Sequence, residues 1–359
     1  MPRKSSRLRF EKRKSFAEKL NTEEVRIRFA VVGCGRIGKR HAAMIASNPR
    51  CTLTALSDTA LKENLGIEDF DVPFFADIDL LLKSGVEFDV LTIATPNGLH
   101  EQQALRALES GKHVVIEKPM ALTKAGCERI IFKALQKHKQ VFCVMQNRYS
   151  PPSVWLKNLL ESGQLGKIFM VQINCYWNRD DRYYQQSQWH GTKTLDGGTL
   201  FTQFSHFVDL MHWYFGDITN INARLRNFNH EKTIDFEDSG FVSFDFVEGG
   251  VGSINYSTAI WDKNLESSIT VVGEHGAVKV GGQYMDKVEY CHVRDYEMPE
   301  LKPSNPPNDY GTHKGSAANH QYIIENIVDV LRGQKTITTN AMEGMKVVEI
   351  IERIYAESR

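Results

Sequence analysis

The sequence predicts an α/β protein in which an N-terminal, doubly wound parallel sheet is followed by a second α/β domain with an open, mainly antiparallel sheet. Two observations predict the first part: apolar runs alternate with helical patterns through residues 27–147, and a glycine-rich turn joins the first strand to the first helix. A third predicts the second part, because apolar residues recur with period two in residues 148–359. The length of 359 residues suits two such domains.

The first strand and helix meet at a G-x-G-x-x-G motif. Residues 29–32 have the composition of a buried strand, and a helical pattern occupies residues 39–47. Gly33 permits the tight turn, Gly35 lets a dinucleotide pyrophosphate approach the backbone, and Gly38 lets the helix pack close to the strand. Free N–H groups at the start of the helix would bind the phosphates. The predicted phosphate-binding residues are Gly33, Gly35, Arg36, Ile37 and Gly38.

Asp58 predicts which dinucleotide is bound. Residues 51–57 form the next predicted strand, and Asp58 ends it, roughly 20 residues beyond the glycines. A carboxylate there accepts hydrogen bonds from the adenosine ribose hydroxyls and repels a 2′-phosphate. The sequence therefore predicts NAD rather than NADP; the alternative is a structural glycine turn followed by an ordinary surface Asp.

The alternation continues beyond Asp58. Further strands are predicted over residues 88–94, 113–116 and 140–146, with helices over 78–83, 101–110 and 123–137. Ligands of a parallel sheet bind beyond the carboxyl ends of its strands, so residues that follow the strands should line the cofactor cleft. These are Thr95, Pro96, Asn97, His100, Glu117 and Lys118.

The second half begins with a predicted helix over residues 154–161. Period-two runs then occupy 168–176, 218–226, 242–246, 250–259, 267–272 and 277–280. A polar loop over 303–315 precedes two predicted helices, 316–331 and 341–356. An open sheet with one covered face exposes the other, which predicts a homo-oligomer.

Composition and charge narrow the classes of partner. Basic and acidic residues number 44 each, so the total charge predicts no nucleic-acid partner, and no apolar run is long enough to span a membrane. Six cysteines lack metal-ligand spacing, which predicts a reduced, cytoplasmic protein without a metal site. Residues 1–20 contain eight basic and two acidic residues. We expect residues 1–26 to be a disordered, dispensable extension; a nucleic-acid or membrane-surface arm is the alternative.

The tripeptide Glu117-Lys118-Pro119 supplies a first catalytic candidate. A lysine at the end of this strand would point into the cofactor cleft, where its ammonium can polarise a substrate hydroxyl and stabilise negative charge as hydride leaves. A surface lysine is the alternative. Pro119 is a candidate for a cis peptide bond.

The second catalytic candidate lies beyond Gly197-Gly198, in a helix predicted over residues 202–214. Thr202, His206 and Asp209 would share one face of it. A histidine with a near-neutral pKa can take a hydroxyl proton while hydride departs. A core histidine bonded to a backbone carbonyl is the alternative.

In their order and spacing, these motifs resemble the Gfo/Idh/MocA family of NAD(P)-dependent oxidoreductases. They are G-x-G-x-x-G, A-T-P-N-x-x-H at 94–100, E-K-P at 117–119 and G-G-x-L-x-x-x-x-x-H-x-x-D at 197–209. The resemblance implies a Rossmann domain followed by an α/β domain, a tetramer, and Lys118 and His206 as the catalytic pair. It also implies chemistry on hydroxyls of sugars, inositols or sugar derivatives.

Thr202 departs from the family pattern, because many members carry Asp four residues before the histidine. Segments 146–152, 183–184, 189–192 and 196–198 resemble the UDP-N-acetylglucosaminuronate 3-dehydrogenases of surface-polysaccharide synthesis, which also lack that Asp. The resemblance implies that Arg148 pairs with the uronate carboxylate and that nearby aromatic rings cover the sugar or the uracil. The implied substrate-binding residues are Lys118, Asn147, Arg148, Tyr183, Tyr184, Trp189, Thr202, Gln203 and His206.

Two other functions stay open at this point. One is a dehydrogenase of a free sugar or inositol in the same family. The other is a non-catalytic, NAD-linked sugar sensor, against which the presence of both Lys118 and His206 argues.

Overall fold

The computed structural model describes residues 25–311 and 314–358, and its first half is a six-stranded parallel sheet. Strands β1 to β6 are Ile27–Val32, Cys51–Ser57, Phe74–Phe75, Val90–Ile93, His113–Ile116 and Val141–Cys143. Helices α1 to α4 are Arg36–Ser47, Ile78–Lys83, His100–Glu109 and Lys124–Lys137. The strand order is β3-β2-β1-β4-β5-β6, so the order reverses between β1 and β4 and opens a ligand crevice there.

The second half contains a seven-stranded sheet of order β13-β12-β11-β7-β10-β9-β8. Strands β7 to β13 are Ile168–Tyr176, Ile218–Arg226, Ser239–Phe246, Val251–Ser257, Glu266–Gly273, Gly276–Gly281 and Lys287–Val293. Helices α5 to α9 are Pro151–Glu161, Asp181–Tyr184, Ser205–Phe215, His320–Leu331 and Ala341–Ala356. A small hairpin pairs β14, Pro307–Asp309, with β15, Lys314–Ala317. Only the β7–β10 pair of the large sheet is parallel among the described strands, so the predicted fold class is confirmed.

One face of the large sheet is buried and the other is exposed. Val242, Phe244 and Phe246 of β9 point into a core that also contains residues of α7 and α9. Burying each such side chain contributes about 1.5–3 kcal/mol, so this core holds the helices on the sheet. On the opposite face, Phe241 is 60% and Met170 53% exposed.

Local signals fix where the principal helices begin. The hydroxyl of Thr123 accepts a hydrogen bond from the N–H of Gly126 at 3.0 Å and caps α4. Asn340 and Glu343 form a reciprocal capping box at the start of α9. Pro151 occupies the first turn of α5, where its missing N–H costs nothing.

Two of the differences between predicted and observed helices have a clear structural reason. The helix predicted over 202–214 begins as a π-helical turn, Leu200–Phe204, and continues as α7. The carbonyl of Thr202 in that turn accepts a hydrogen bond from the side chain of Lys118. The helix predicted from residue 316 begins at His320, because the preceding residues pair with β14 in the hairpin.

Some predicted segments fall outside what the structure tests. The predicted N-terminal extension lies outside the described residues except for Val25 and Arg26. The predicted domain boundary, between residues 147 and 148, falls within a short 3₁₀ turn, Gln146–Tyr149, that joins β6 to α5. Within residues 25–311 and 314–358, no helix combines the length and the apolar character needed to cross a bilayer.

Candidate active site

The glycine turn between β1 and α1 has the shape that a dinucleotide requires. Gly33 has a φ of 86°, and a Cβ on it would lie 2.5 Å from the carbonyl oxygen of Ala94. A Cβ on Gly38 would lie 1.7 Å from the carbonyl oxygen of Gly33. A Cβ on Gly35 would meet no atom of the described residues within 4 Å. The turn is therefore closed on the protein side and open where a pyrophosphate would approach.

The N-terminus of α1 is available to an anion. Gly35 occupies the N-cap position without a side-chain cap, and the first turn of the helix contains no acidic residue. The first N–H groups of a helix have no partner within it and carry partial positive charge. Within the described chain, no side chain at this terminus accepts the hydrogen bonds that these N–H groups would donate to a phosphate.

Two backbone N–H groups hold the carboxylate of Asp58 in place. Its two carboxylate oxygens accept hydrogen bonds from the N–H groups of Cys34 at 2.6 Å and Ala60 at 2.8 Å. Each oxygen keeps a lone pair for a further donor, such as a ribose hydroxyl. The turn, the helix terminus and Asp58 together fit NAD, which when bound supplies a nicotinamide that accepts hydride.

A buried triad forms the floor of the cleft behind the end of β5. His41 Nε2 lies 2.7 Å and His320 Nε2 lies 3.6 Å from Glu117 Oε1. Burial raises the pKa of Glu117, but the hydrogen bond from His41 and nearby positive charge outweigh it and hold the pKa at about 2. Burial lowers the pKa of His320 to about 3. Glu117 is therefore an ionised acceptor between two imidazoles.

This triad also has the ligand types of a metal centre, since one donor atom from each residue lies within 4.8 Å of the others. Two donors on one tetrahedral zinc ion are about 3.3 Å apart. The 2.7 Å separation of His41 and Glu117 is instead that of a hydrogen bond. We interpret the triad as a hydrogen-bonded brace for the strand that presents Lys118.

Lys118 lies beyond this brace and follows the end of β5, at a cis bond to Pro119. Its ammonium donates a hydrogen bond to the carbonyl of Thr202. Desolvation lowers the pKa of Lys118, while Glu117 and Asp196 oppose the shift. The lysine is thus a half-buried cation at the junction of the two sheets.

His206 is buried on α7, and its Nε2 lies 3.2 Å from the side-chain nitrogen of Gln146. Burial, and then the charge of Lys118, lower its pKa well below the ordinary value. The ring is therefore neutral near neutral pH and can accept a proton. Gln146 also donates to the hydroxyl of Ser316 at 2.9 Å, which fixes the amide beside the imidazole.

Arg179 is a site residue that the sequence prediction missed. It lies three residues beyond the end of β7, is 2% exposed, and lies over the rings of Trp177 and Tyr183 at 4.8 and 5.4 Å. Its donors reach the side-chain oxygen of Gln203 at 2.8 Å and the carbonyls of Asn178 at 2.6 Å and Lys314 at 3.2 Å. No carboxylate within the described ranges lies at ion-pair distance from it. The one available signal was an arginine directly beyond a strand that ends at the cleft.

Arg148, the predicted partner of the uronate carboxylate, is paired with acids of the protein itself. Its guanidinium is buried between the two oxygens of Asp209, at 2.9 and 2.6 Å, and Glu343 at 2.6 Å. These acids outweigh burial and raise the pKa of Arg148. Its charge is already compensated inside the protein, so it has no free face for a uronate.

The aromatic rings predicted to cover the sugar or the uracil pack mainly against other side chains of the protein. The ring of Tyr183 stacks on His190 at 4.4 Å, and Tyr184 packs edge-on against Tyr183 at 5.0 Å and His230 at 5.3 Å. Trp189 lies against His190 at 4.1 Å and keeps part of its surface exposed. Of these three predicted residues, Trp189 alone retains an open face.

Among the predicted cofactor residues, His100 and Asn97 are structural in this geometry. The ring nitrogens of His100 lie 2.7 and 2.8 Å from the carbonyls of Pro119 and Thr95, so His100 braces two strand ends from behind. The amide nitrogen of Asn97 donates to the hydroxyl of Thr202 and to the carbonyl of Asp196, both at 2.7 Å.

The remaining predicted residues surround the cleft. The hydroxyl of Thr95 donates to the side-chain oxygen of Gln103 at 2.6 Å, and the backbone nitrogen of Thr95 would lie 2.8 Å from a Cβ on Gly33. Arg36 extends from the start of α1 over the ring of Tyr310 at 5.9 Å. Asn147 is buried with neither amide atom partnered in the described chain, an arrangement that a bound ligand could satisfy.

Family comparisons agree with this geometry. Residues 27–145 match the oxidoreductase family GFO_IDH_MocA, NAD-binding Rossmann fold, and residues 154–279 match the GFO/IDH/MocA C-terminal domain. The chain belongs to the Gfo/Idh/MocA family of oxidoreductases. Its N-terminal sheet is an NAD-binding Rossmann fold.

Two solved structures of this family resemble the chain over nearly its whole length. The WlbA dehydrogenase from Bordetella pertussis, in complex with NADH and UDP-GlcNAcA, is 32% identical, with 92% of this chain and 96% of that chain covered and a TM-score of 0.80. The WlbA dehydrogenase from Chromobacterium violaceum, with the same two ligands, is 30% identical, with 94% of each chain covered and a TM-score of 0.83.

Curated relatives match over shorter stretches. Inositol 2-dehydrogenase from Salmonella typhimurium is 29% identical over 53% of this chain and 55% of that protein. The chain spans 62% and 58% of the lengths of two further relatives, an uncharacterized oxidoreductase from Synechocystis and a cyclohexadiene dehydrogenase from Comamonas testosteroni.

Proposed function

We propose that this chain oxidises the C3 hydroxyl of a UDP-N-acetylglucosaminuronate sugar, with NAD as the hydride acceptor. The product would be a 3-keto sugar, a substrate for an aminotransferase in surface-polysaccharide synthesis. The observation that carries the choice of substrate is Arg179, a buried guanidinium without a carboxylate partner in the described chain. The two solved relatives that contain UDP-GlcNAcA support the same choice.

The charges around Arg179 favour an acidic substrate. Burial lowers its pKa, and its positive charge in turn lowers the pKa of Lys118, so two cations face one region. An uncompensated buried ion costs several kcal/mol, and a bound anion would reduce that cost. A uronate carboxylate can accept two parallel hydrogen bonds from a guanidinium, whereas inositol and neutral sugars carry no such group.

The catalytic step needs a base and a stabiliser of charge. His206 is neutral and can take the hydroxyl proton as hydride leaves the adjacent carbon for NAD. Lys118 can donate a hydrogen bond to the same oxygen and stabilise the charge that develops on it. The two electrons of the C–H bond leave with the hydride, and the carbon–oxygen bond becomes a carbonyl.

Polar side chains near this pair can orient the sugar. The unpartnered amide of Asn147 can bind substrate oxygens. Gln203 holds Arg179 with its side-chain oxygen and donates to the hydroxyl of Tyr183 at 2.7 Å. These contacts would keep the guanidinium in place for the carboxylate.

The second candidate function is oxidation of a free sugar or inositol, which the similarity to inositol 2-dehydrogenase supports. It uses the same Lys118 and His206 but leaves Arg179 without an anionic partner. A non-catalytic sensor, the third candidate, would not need a neutral histidine beside a cationic lysine.

A substrate panel separates these functions. The chain is incubated with NAD and either UDP-GlcNAcA, UDP-GlcNAc, myo-inositol or free sugars, and absorbance of NADH is followed. We expect turnover of the acid and little of UDP-GlcNAc. Arg179→Gln should lower kcat/KM for the acid by about 10²-fold or more, the scale of a lost charged hydrogen bond. Arg182→Gln, which removes an exposed neighbour paired with Asp180, should leave it unchanged. Preferred turnover of a neutral polyol would contradict the proposal.

We further propose that the exposed face of the large sheet joins subunits of a homo-oligomer, most simply a tetramer. Phe169, Met170, Phe241 and Val251 expose apolar surface there. Light scattering that finds a stable monomer at micromolar concentration would contradict this.

Six free cysteines, five of them buried, suit the reducing cytoplasm that we predicted.

A further inference from the structure

Asp196 is a buried acid beside Lys118 that the proposed mechanism does not use. It is 1% exposed. One carboxylate oxygen accepts a hydrogen bond from the N–H of Gly191 at 2.7 Å, and the other faces the hydroxyl of Thr202. Within the described ranges, no basic side chain makes an ion pair with it. A carboxylate buried with two donors is costly, so packing alone does not account for its position.

Thr202 connects this acid to the catalytic lysine. Its carbonyl accepts the hydrogen bond from Lys118, and its hydroxyl binds Asp196. Asn97 donates one amide hydrogen to the hydroxyl oxygen of Thr202 and the other to the carbonyl of Asp196. A hydroxyl has a single proton, and Asn97 already fills one of its lone pairs. The proton of Thr202 therefore points to the carboxylate when Asp196 is ionised.

We propose that Asp196 is a positioning residue for hydride transfer: through the hydroxyl of Thr202 it fixes the carbonyl that anchors Lys118, and it supplies the negative charge nearest that lysine on this side of the cleft. The inference rests on the proposed catalytic role of Lys118 and not on the identity of the sugar. Thr202 itself carries no charge, so its carbonyl can anchor the lysine but adds no negative charge beside the ammonium.

The network has two hydrogen-bond arrangements. Burial raises the pKa of Asp196 to about 6, although Thr202, Gly191 and the charge of Lys118 oppose the shift. The protonated acid would donate to the hydroxyl oxygen of Thr202, whose own proton can turn to the carbonyl of Asp196 at 3.1 Å. The other charged or titratable groups that interact with Lys118 or Asp196 are Glu117, Arg179, Tyr183, Tyr184, Tyr355, His100, His190, His206 and His320.

The test is the pH profile of steady-state oxidation by Asp196→Asn, Thr202→Val, Thr202→Ser and the double variant D196N/T202V. We expect D196N to lower kcat by about 10–100-fold, the cost of a misplaced catalytic group, with a smaller effect on KM. Loss of the negative charge should move the alkaline limb of the profile to lower pH, because it lowers the pKa of Lys118. T202V keeps the carboxylate of Asp196, so it should lower kcat similarly without the same shift of the alkaline limb. T202S should recover most of the rate, and the double variant should have a kcat no lower than that of either single variant.

Asp238→Asn is the matched control, since Asp238 is equally buried but pairs with His230 at 3.0 Å, away from Lys118. It should lower thermal stability without moving the pH limbs. The same behaviour in D196N, or a wild-type kcat, would overturn the inference.

The outcome is independent of the substrate proposal. If the wild type oxidises a neutral sugar and not UDP-GlcNAcA, the substrate proposal fails and the variants are compared on that sugar. If it oxidises none, the pKa of Lys118 is measured by NMR of lysine labelled at Cε. A pKa that is lower in D196N supports the inference, and an unchanged pKa overturns it.

Discussion

Arg148 and Asp209 form a two-point ion pair, at 2.9 and 2.6 Å, in which neither side chain reaches solvent. The pair joins the turn after β6 to α7, the helix that carries His206. Asp209 is the last residue of the G-G-x-L-x-x-x-x-x-H-x-x-D motif. Its carboxylate therefore holds the turn after β6 against α7. Trp213 lies against the guanidinium at 5.3 Å and helps to exclude water from it.

Asp209→Asn should therefore destabilise the fold strongly. It leaves a buried guanidinium with one acid, and the loss of one partner of a buried pair costs about 3–5 kcal/mol. Denaturant unfolding measures the change. The control is Lys335→Gln, which removes an exposed lysine paired with Asp329 and should cost less than about 1 kcal/mol. Equal, small losses for the two variants would show that the buried pair is not structural.

Asp58 should determine the preference for NAD. Its carboxylate, held by Cys34 and Ala60, would face the 2′-phosphate of NADP and repel it. Calorimetric titration should find tighter binding of NAD to the wild type, and Asp58→Ala should narrow the difference. Equal or tighter binding of NADP by the wild type would refute the assignment.

Substitutions of His206 and Lys118 should lower kcat for different reasons. His206→Asn removes the base, which is worth about 10²–10⁴-fold. Lys118→Met removes a preorganised donor, which is worth about 10²–10³-fold. Because the pKa of His206 is lowered well below its ordinary value, the acid limb of the wild-type profile should lie well below pH 6.5. NAD binding by H206N serves as the control and should change little. A nearly normal kcat in H206N would show that another group is the base.

The secondary structure could be predicted from the sequence where apolar residues recur with a regular period. Strands Cys51–Ser57, Ile168–Tyr176 and Ile218–Arg226 have the predicted bounds, since each combines apolar alternation with a clear turn at its end. The glycine motif, Lys118 and the neighbouring strand ends were found because a parallel sheet brings these positions together.

The rest of the site depends on contacts that no period encodes. A 3.6-residue helix places Thr202 on the face of His206, but the π-helical turn directs it to Asp196 and Lys118. Arg148 and Arg179 both lie shortly after predicted strands that end at the cleft. Which of them has an acid partner was decided by Asp209, 61 residues from Arg148. Long-range charge pairing of this kind cannot be inferred from one sequence.

Glu237 should make stability depend on pH. Burial raises its pKa from 4.5 to about 7, although the hydroxyls of Tyr355 and Tyr256 donate to it at 2.8 and 2.9 Å. Between pH 4.5 and about pH 7 the unfolded chain binds fewer protons than the folded one. The free energy of unfolding therefore falls as pH rises, by up to about 3 kcal/mol.

Glu237→Gln keeps an acceptor for both hydroxyls and removes the titration. It should flatten this fall between pH 4.5 and 7, measured by denaturant unfolding at several pH values, with little change at the acid end. An equal slope in wild type and variant would mean that Glu237 is ionised in the fold.

The most direct measurement of the central claim uses UDP-GlcNAcA that carries deuterium at C3. The enzyme is incubated with this substrate and NAD, and the reduced cofactor is analysed by mass spectrometry. Hydride transfer from C3 predicts NADH heavier by one mass unit, formed more slowly than from unlabelled substrate if the transfer limits the rate. Reduced cofactor without deuterium, or no reduction while a neutral sugar is oxidised, would contradict the proposed reaction.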